Sequence, residues 1–299
     1  MIKTVLGNIE NAKAGVTLVH EHICCYNEYV YQMAKNAYID KNSVADDAIS
    51  YLKDIKAKHG LTTFVDCTPP NIGRDTELLK KVSEKAEINI VCATGFYFQD
   101  EPVLFRTSAD KLCEYMITDA KAQNAGIIKC AVEKAEIAEF QEKLLRACAK
   151  AHKELGLPIV MHTNGKNQNG RSALEILLSE CVHGDSVVVG HLSDSEDPEY
   201  LKAIAAHGCY IAFDRLYGNC DEEYIEKKVS AITELCRAGY KDKILLSHHA
   251  LFFNGFDKDP TVAEKPRFAY VFEHMLPKLN ATLAQKITVT NPANMLSVR

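Results

Sequence analysis

Eight short apolar segments recur along the 299-residue chain, with segments of helical periodicity between them. The predicted strands are residues 15–20, 62–66, 88–93, 126–132, 157–162, 186–191, 209–214 and 243–248. The predicted helices are residues 44–58, 75–86, 108–123, 137–155, 171–182, 198–206, 222–238 and 265–285. Strands that alternate with helices in this way predict an α/β protein with a parallel sheet.

The predicted strands are rich in Val, Ile, Leu and Ala with few interruptions, which is typical of strands that are buried on both faces. An open doubly wound sheet shows the same alternation. Eight βα units favour a closed (β/α)8 TIM barrel, because closure removes the sheet edges and eight strands enclose an interior that side chains can fill. No linker or shift in composition divides the chain, so we expect one domain over residues 1–299.

Two helix starts are suggested by local sequence. Ser43 precedes a helical segment and has Asp46 three residues later, and Asn291 stands directly before Pro292. Ser and Asn are good N-cap residues, and Pro fits the first helical position. These positions predict helix N-termini after Ser43 and after Asn291.

Composition restricts the partners and the compartment. The 35 Lys and Arg residues against 40 Asp and Glu give a net charge of −5, without a basic stripe, which argues against nucleic acid as a partner. No apolar stretch resembles an export signal or a membrane span. The 11 cysteines are odd in number and include no CxxC, which favours reduced thiols. We therefore expect a cytoplasmic protein, with a core-filling role favoured over metal ligation for Cys24 and Cys25.

Histidines stand at the ends of three predicted strands. The first strand ends in His20-Glu21-His22, the fifth in His162 and the sixth in His191. In an extended segment, residues i and i+2 point to the same side, so His20 and His22 can face one ion. A single histidine at a strand end is more often a core residue. Because a barrel brings these ends together, the four histidines predict a metal site.

Lys129 lies inside the apolar fourth strand, where a lysine needs a partner. One interpretation is an ion pair with a neighbouring carboxylate. The other is that burial lowers the pKa of Lys129, so that the neutral amine takes up carbon dioxide and the carbamate bridges two cations.

Motifs along nearly the whole chain resemble the phosphotriesterase-like branch of the amidohydrolase superfamily, and most closely its lactonases. They are TLVHEHICC, TFVDCTPPNIGRD, IVCATGFYF, AGIIKCA, PIVMHTN, VVVGHLSDSEDPEYL, ILLSHH and ITVTNPANML. The resemblance implies a binuclear centre, usually of zinc. It places His20 and His22 on one ion and His162 and His191 on the other, with carboxylated Lys129 between them.

One position departs from that family pattern. The family ends its eighth strand in a metal-binding aspartate that accepts the proton of the attacking water, and ILLSHH has His249 there. A histidine can ligate through one nitrogen, but it lacks the second oxygen of a carboxylate. His249 is therefore a predicted metal ligand and catalytic residue whose support for turnover is open.

Further site residues follow from the resemblance. Tyr97 and Arg215 match positions that place a phenol over the metals and an arginine beside the substrate in lactonases. The alternatives are a wall residue for Tyr97 and an ion pair with Asp214 for Arg215. Arg74 also matches a family position, although an ion pair with Asp75 or another carboxylate explains it equally well.

The sequence thus predicts a metal-dependent hydrolase of a small lactone or related ester, with phosphotriesterase activity as a side reaction. Hydrolysis of a phosphorylated sugar lactone or a phosphoester is an alternative. A barrel that binds a ligand or metal without turnover is another, because of His249. The expected partner is a small-molecule substrate, with no membrane, and a homodimer is one assembly that the sequence leaves open. Short loops after the last two strands predict a compact pocket.

Overall fold

The computed structural model describes residues 1–98, 102–216, 221–256 and 268–298. Its strands are β1 (Ile2–Thr4), β2 (Gly7–Ile9), β3 (Val16–Cys25), β4 (Leu61–Asp66), β5 (Asn89–Gly95), β6 (Ile127–Ala131), β7 (Ile159–His162), β8 (Val187–Val189), β9 (Tyr210–Phe213), β10 (Ile244–Leu246) and β11 (Leu251–Asn254). Its α-helices are α1 (Glu28–Ala34), α2 (Lys41–His59), α3 (Thr76–Ala86), α4 (Pro102–Arg106), α5 (Ala109–Gln123), α6 (Glu139–Leu155), α7 (Gly170–Ser179), α8 (Pro198–Ala206), α9 (Glu222–Arg237), α10 (Ala281–Gln285) and α11 (Asn291–Leu296).

Strands β3 to β11 form one parallel sheet in the order β10-β9-β8-β7-β6-β5-β4-β3-β11. β10 pairs with β9, whereas β11 pairs with β3 at the other end of the sheet. Between them, the His249 amide donates to the His20 carbonyl at 2.9 Å and the His22 amide donates to the Ala250 carbonyl at 2.9 Å. β10 and β11 are therefore two halves of the eighth barrel strand, and the predicted (β/α)8 barrel is confirmed.

The barrel interior is filled by alternate residues of its strands, as the period of two requires. Val19, Val65, Val91 and Val160 belong to this buried inner cluster. Ile2 of the β1–β2 hairpin also joins it, and so do Met295 and Leu296 of α11. A larger buried cluster lies between the strands and the helices. The hairpin and α11 thus plug the end of the barrel opposite the strand carboxyl ends.

Neither predicted N-cap residue caps its helix, although both helices form and α11 begins at Asn291. Asp40, not Ser43, caps α2, because its side chain accepts from the Asn42 and Ser43 amides. Asn291 does not cap α11, since a π-helical turn over Lys286–Thr290 leads directly into that helix. The Asn291 amide group instead donates to the Lys241 and Ile244 carbonyls and ties the C-terminal segment to the start of β10.

The predicted helix 265–285 is also divided. Residues 265–267 lie outside the described part of the chain, and the remainder is a π-helical turn at Val271–Met275, a 3-10 turn at Leu276–Lys278 and then α10. Pro277 cannot donate a helical hydrogen bond, which accounts for the break. Residues 251–254 were also predicted to belong to a loop, and they form β11 instead.

The ten cysteines in the described ranges are all free, and Cys220 lies outside them. Cys24 and Cys25 are both buried. Among the described residues, no helix is long and apolar enough to cross a bilayer. The predicted short loops after the seventh and eighth strands lie partly outside the description, at residues 217–220 and 257–267.

Candidate metal centre

Five imidazoles meet at the carboxyl ends of the barrel strands. His20 and His22 extend from β3, and His162 ends β7. His191 follows β8 and His249 follows β10, with φ angles of 62° and 55°. Left-handed backbone is uncommon for residues other than glycine and is found where a local structure imposes it. His191 lies just beyond the end of β8, and His249 lies between β10 and β11, so both residues interrupt the extended backbone at the barrel mouth.

The five rings form two groups of three that share one member. The possible ligand atoms of His20, His22 and His249 lie within 4.8 Å of one another, and so do those of His162, His191 and His249. The ring centroid of His249 lies 5.0 Å from that of His22 and 4.5 Å from that of His191. The predicted ligand His249 therefore stands between the two predicted histidine pairs.

Asp214, directly after β9, holds one histidine of each pair. Its Oδ2 lies 2.5 Å from His20 Nδ1, and its Oδ1 accepts from the His191 amide at 2.6 Å and lies 3.0 Å from His191 Nδ1. Asp214 is fully buried, and the two imidazoles hold the pKa of its carboxyl well below the usual range despite that burial. An ionised carboxylate only accepts hydrogen bonds, so each Nδ1 carries a proton and each Nε2 keeps its lone pair for a ligand.

The other two histidines also have an oxygen partner on one ring nitrogen: a carboxylate for His162 and a hydroxyl, which can donate or accept, for His22. His22 Nδ1 lies 2.8 Å from Thr68 Oγ1, and His162 Nε2 lies 2.8 Å from Glu133 Oε2. These contacts leave His22 Nε2 and His162 Nδ1 toward the centre. Since metal-ligating histidines normally donate their other N–H to an oxygen acceptor, the arrangement matches a set of preorganised ligands.

One short contact tests whether these residues fit a metal ion. His191 Nε2 and His162 Nδ1 lie 2.8 Å apart, although the carboxylate partners of both rings make these two atoms lone-pair acceptors. Two lone pairs at that distance repel each other unless a proton or a cation lies between them. Burial lowers the pKa of His162 to about 4 and that of His191 well below 6.5, which disfavours the proton. The donor set therefore fits a cation.

Lys129 reaches the same centre from β6. Its side chain is buried, and Nζ lies 2.6 Å from His20 Nε2. The described residues give it no ion pair with a carboxylate, which counts against the simpler of the two interpretations of this lysine. Burial lowers the pKa of Lys129, as formation of a carbamate requires.

A cavity of about 230 Å³ opens over the centre. Its described lining consists of His22, Cys25, Ile72, Tyr97, Lys129, His249, Leu251, Asn254 and Phe256. The Tyr97 ring stands nearly perpendicular to that of His162, with centroids 5.2 Å apart. Burial raises the pKa of Tyr97, so its phenol stays protonated at neutral pH. Cys25 is part of the cavity wall, and its Sγ lies 3.8 Å from Thr68 Oγ1.

The two predicted arginines have different surroundings. Arg215 does not pair with Asp214, as one interpretation had it; its Nη1 donates to Asp194 Oδ2 at 2.6 Å. Its charge adds to the burial that lowers the pKa of His162, and it partly offsets the rise that burial causes in the pKa of Tyr97. Arg74 forms a two-pronged pair with Asp119 at 2.7 and 2.6 Å, whereas Asp75 caps α3. Arg74 is not among the described residues that line the cavity.

Sequence reasoning missed the oxygen acceptors behind the ligands, namely Asp214, Glu133 and Thr68. Asp214 had a signal, because it follows a buried strand directly, as His162 does. The glycine at 190, directly before His191, is a second signal of close packing at this point. A Cβ there would lie 2.8 Å from the Met161 carbonyl and 3.2 Å from Asp214 Oδ2. Glu133 and Thr68 lie in loops, where sequence alone does not indicate which ring they contact.

A parallel (β/α)8 barrel with imidazoles and a buried lysine gathered at its strand carboxyl ends defines the class of metal-centred barrel hydrolases. The chain belongs to the phosphotriesterase family, whose family model matches residues 1–296.

Individual relatives agree with this assignment. A phosphotriesterase homology protein from Mycobacterium tuberculosis is 32% identical over 290 residues, covering 91% of this chain and 88% of the relative. An aryldialkylphosphatase from Saccharolobus solfataricus is 34% identical over 249 residues, covering 81% and 78%. The human N-acetyltaurine hydrolase is 24% identical over 357 residues, covering 100% and 98%.

The solved structure of the phosphotriesterase from Mycobacterium tuberculosis superposes with a TM-score of 0.88 at 28% identity, covering 99% of this chain and 98% of that one. Family and relatives together show that the protein is a hydrolase.

Proposed function

We propose that this protein hydrolyses a small lactone or a related ester at a binuclear centre of divalent cations, with zinc as the expected metal. The single observation that supports the proposal best is the pair of histidine groups that share His249. The proposed ligands are His20, His22, Lys129, His162, His191 and His249. A carbamate on Lys129 would supply the bridging oxygens between the two groups.

When bound, two such cations supply Lewis acidity, which activates water for attack and polarises the carbonyl under attack. The chain supplies the remaining functions. Asp214 and Glu133 fix which nitrogen of each imidazole faces the centre. Tyr97, in the cavity wall, is the proposed hydrogen-bond donor to the substrate, and Arg215, whose charge acts on Tyr97 and His162, is the proposed cationic group beside it. We propose that His249 takes the position of the family's proton-accepting aspartate. If it binds a cation through one nitrogen, a neutral imidazole carries its proton on the other, so it is a weaker acceptor than a carboxylate for the proton of the attacking water.

The cavity supports a small, weakly polar substrate. Ile72, Leu251 and Phe256 give it apolar walls, and its volume of about 230 Å³ suits a short lactone better than a long chain. In the described lining, the one cationic side chain is Lys129, which the metal centre uses. A phosphorylated sugar lactone or phosphoester is therefore the less favoured substrate, and an organophosphate triester, as a neutral molecule, fits as a side substrate.

The rival proposal is a barrel that binds metal or ligand without turnover because His249 replaces the usual aspartate. Purified protein from zinc-supplemented cultures should contain two metal equivalents per chain by elemental analysis. It should hydrolyse at least one short lactone faster than an aryl dialkyl phosphate, a phosphorylated sugar lactone or N-acetyltaurine. Two metals without hydrolysis of any of these would support the rival in its metal-loaded form. Fewer than one equivalent would count against the binuclear hydrolase and would leave only the metal-free form of the rival.

The surroundings and assembly of the enzyme are part of the proposal. Ten free cysteines suit a reducing compartment such as the cytoplasm. A homodimer is one assembly that the proposal includes, and sedimentation velocity at two protein concentrations would test it.

A further inference from the structure

Glu21, the middle residue of the His-Glu-His motif, has no role in the proposed chemistry and points away from the centre. Alternation along β3 places it on the opposite face from His20 and His22. Its side chain is fully buried in a protein interior where an unpaired carboxylate is costly. Both of its oxygens therefore need hydrogen-bond donors.

All the described hydrogen bonds to this carboxylate come from the break in the eighth strand. Oε1 accepts from Ser247 Oγ at 2.7 Å, from the His248 amide at 2.8 Å and from His248 Nδ1 at 2.7 Å. Oε2 accepts from the Ala250 amide at 2.7 Å. The four donors belong to Ser247, His248 and Ala250, so a single side chain on the first strand holds the backbone on both sides of His249.

His249 is held in a conformation that its own side chain does not favour. Its φ is 55°, and its amide donates to the His20 carbonyl at 2.9 Å. His248 is anchored on its far side as well, because its Nε2 accepts from the Val271 amide at 3.0 Å. We call the Glu21 carboxylate and its donors on Ser247, His248 and Ala250 the clamp. The clamp fixes the residues before and after His249, and the left-handed backbone of His249 directs its imidazole toward the other histidines.

We propose that Glu21 is the positioning residue of His249: it holds the eighth strand broken so that the His249 ring stands between the two histidine pairs. This rests on the proposed function for its consequences in catalysis, but the geometry that it describes does not depend on turnover. The four donors match a carboxylate, which accepts at both oxygens. An amide in the same place presents an NH2 group to at least one of these donors.

The experiment compares Glu21→Gln with wild type in two backgrounds, intact and His249→Ala, using apo-protein titrated with zinc against a chromophoric chelator. In the intact background, Glu21→Gln should lower zinc affinity about 10–100-fold, the size found when groups that orient ligands are lost. In the His249→Ala background it should change zinc affinity less than threefold, although it costs stability in both. An equal loss of affinity in both backgrounds would mean that Glu21 supports the barrel generally and would overturn the proposal.

Two further measurements keep the test decisive. If Glu21→Gln does not fold, Ser247→Ala removes one donor to Glu21 and keeps both amides, but it also removes the acceptor of the His20 amide at 3.0 Å. Only the part of its loss of zinc affinity that vanishes in the His249→Ala background is therefore assigned to Glu21. An unchanged affinity in the intact background, or a loss of equal size in both backgrounds, would overturn the proposal. A crystal structure of metal-free Glu21→Gln should show His249 outside the left-handed region. An unmoved His249 would refute the positioning role, whereas a wild type that binds zinc but hydrolyses nothing would fail only the proposed function.

Discussion

The Glu133 carboxylate lies 2.8 Å from His162 Nε2 and accepts its hydrogen bond, so that Nδ1 of the same ring faces His191 Nε2. Asn164 donates to the other oxygen of Glu133 at 2.7 Å and keeps the carboxylate in place. The imidazole and this amide lower the pKa of Glu133, which keeps it ionised at neutral pH. One loop carboxylate therefore decides which nitrogen of His162 is available to a cation.

Glu133→Gln should weaken the metal held by His162 and His191 about 10–100-fold, because an amide can present its NH2 group to the ring and no longer secures the protonated Nε2. Competition with a chelator should show one weakened and one nearly unchanged equivalent. Glu136→Gln, at an exposed glutamate three residues later, is the matched control. Identical binding curves for the two variants would contradict the assignment of Glu133.

Lys129 should carry a carbamate whenever both metals are bound, since a bare ammonium beside two dications would be repelled. Bicarbonate should accelerate reconstitution of the apo-protein with zinc. Intact-mass measurement under native conditions should show the added mass of carbon dioxide, and Lys129→Arg should show neither effect. An unmodified amine in metal-replete protein would exclude the carbamate bridge.

His249→Asp should raise turnover of a good lactone by a factor within about 10²–10⁴, the usual contribution of a general base, if histidine is a poor acceptor for the proton of the attacking water. The measurement is kcat at saturating lactone, with metal content determined in parallel so that occupancy does not mimic chemistry. A normal rate for wild type and a slower His249→Asp would instead identify histidine as an adapted ligand or base, and would exclude the non-catalytic alternative.

The stability of chelator-treated protein should rise with pH between about 4 and 6.5. Burial lowers the pKa of His20 and His162 from 6.5 to about 4 each, so the unfolded chain binds more protons than the folded one in this interval. This stabilisation is fully present above the unfolded pKa and is lost as the pH falls toward about 4. Urea unfolding at about pH 5 and about pH 7.5 should show the difference, with a shallower pH dependence in His162→Asn.

Tyr97→Phe should lower kcat/KM for a lactone about tenfold or more and leave metal content unchanged, because the phenol can donate a hydrogen bond to charge that develops on the substrate. The ring that packs against His162 remains in the variant. If Tyr97 is a wall residue alone, the substitution should leave kcat/KM within a factor of two of wild type.

The sequence could predict the barrel because each strand segment is apolar on both faces and each helix has an amphipathic period. It could also locate His20, His22, Lys129, His162 and His191, since the carboxyl ends of parallel barrel strands meet. Those inferences need only topology. They do not need the path of a loop or the direction of a single turn.

The remainder depends on tertiary contacts that no local pattern encodes. The sequence predicted a loop at Leu251–Asn254 because the strand ends at Leu246 and resumes only at Leu251, after the left-handed residue His249. Asp40 replaced Ser43 as the cap of α2 because both residue types cap well and only the chain path selects between them. Glu133 acquires its role from a ring 29 positions away along the chain.

Because the eighth strand is divided, the histidine centre connects the first and the last strands of the barrel. His249 meets His20 and His22 across the seam where the first and last strands join, after most of the chain has been made. Contacts of such long sequence separation form late and slowly. A cation that binds only the joined form shifts the equilibrium toward it by mass action. Metal supply during synthesis would then influence what fraction of the chains joins its first and last barrel strands, before any substrate binds.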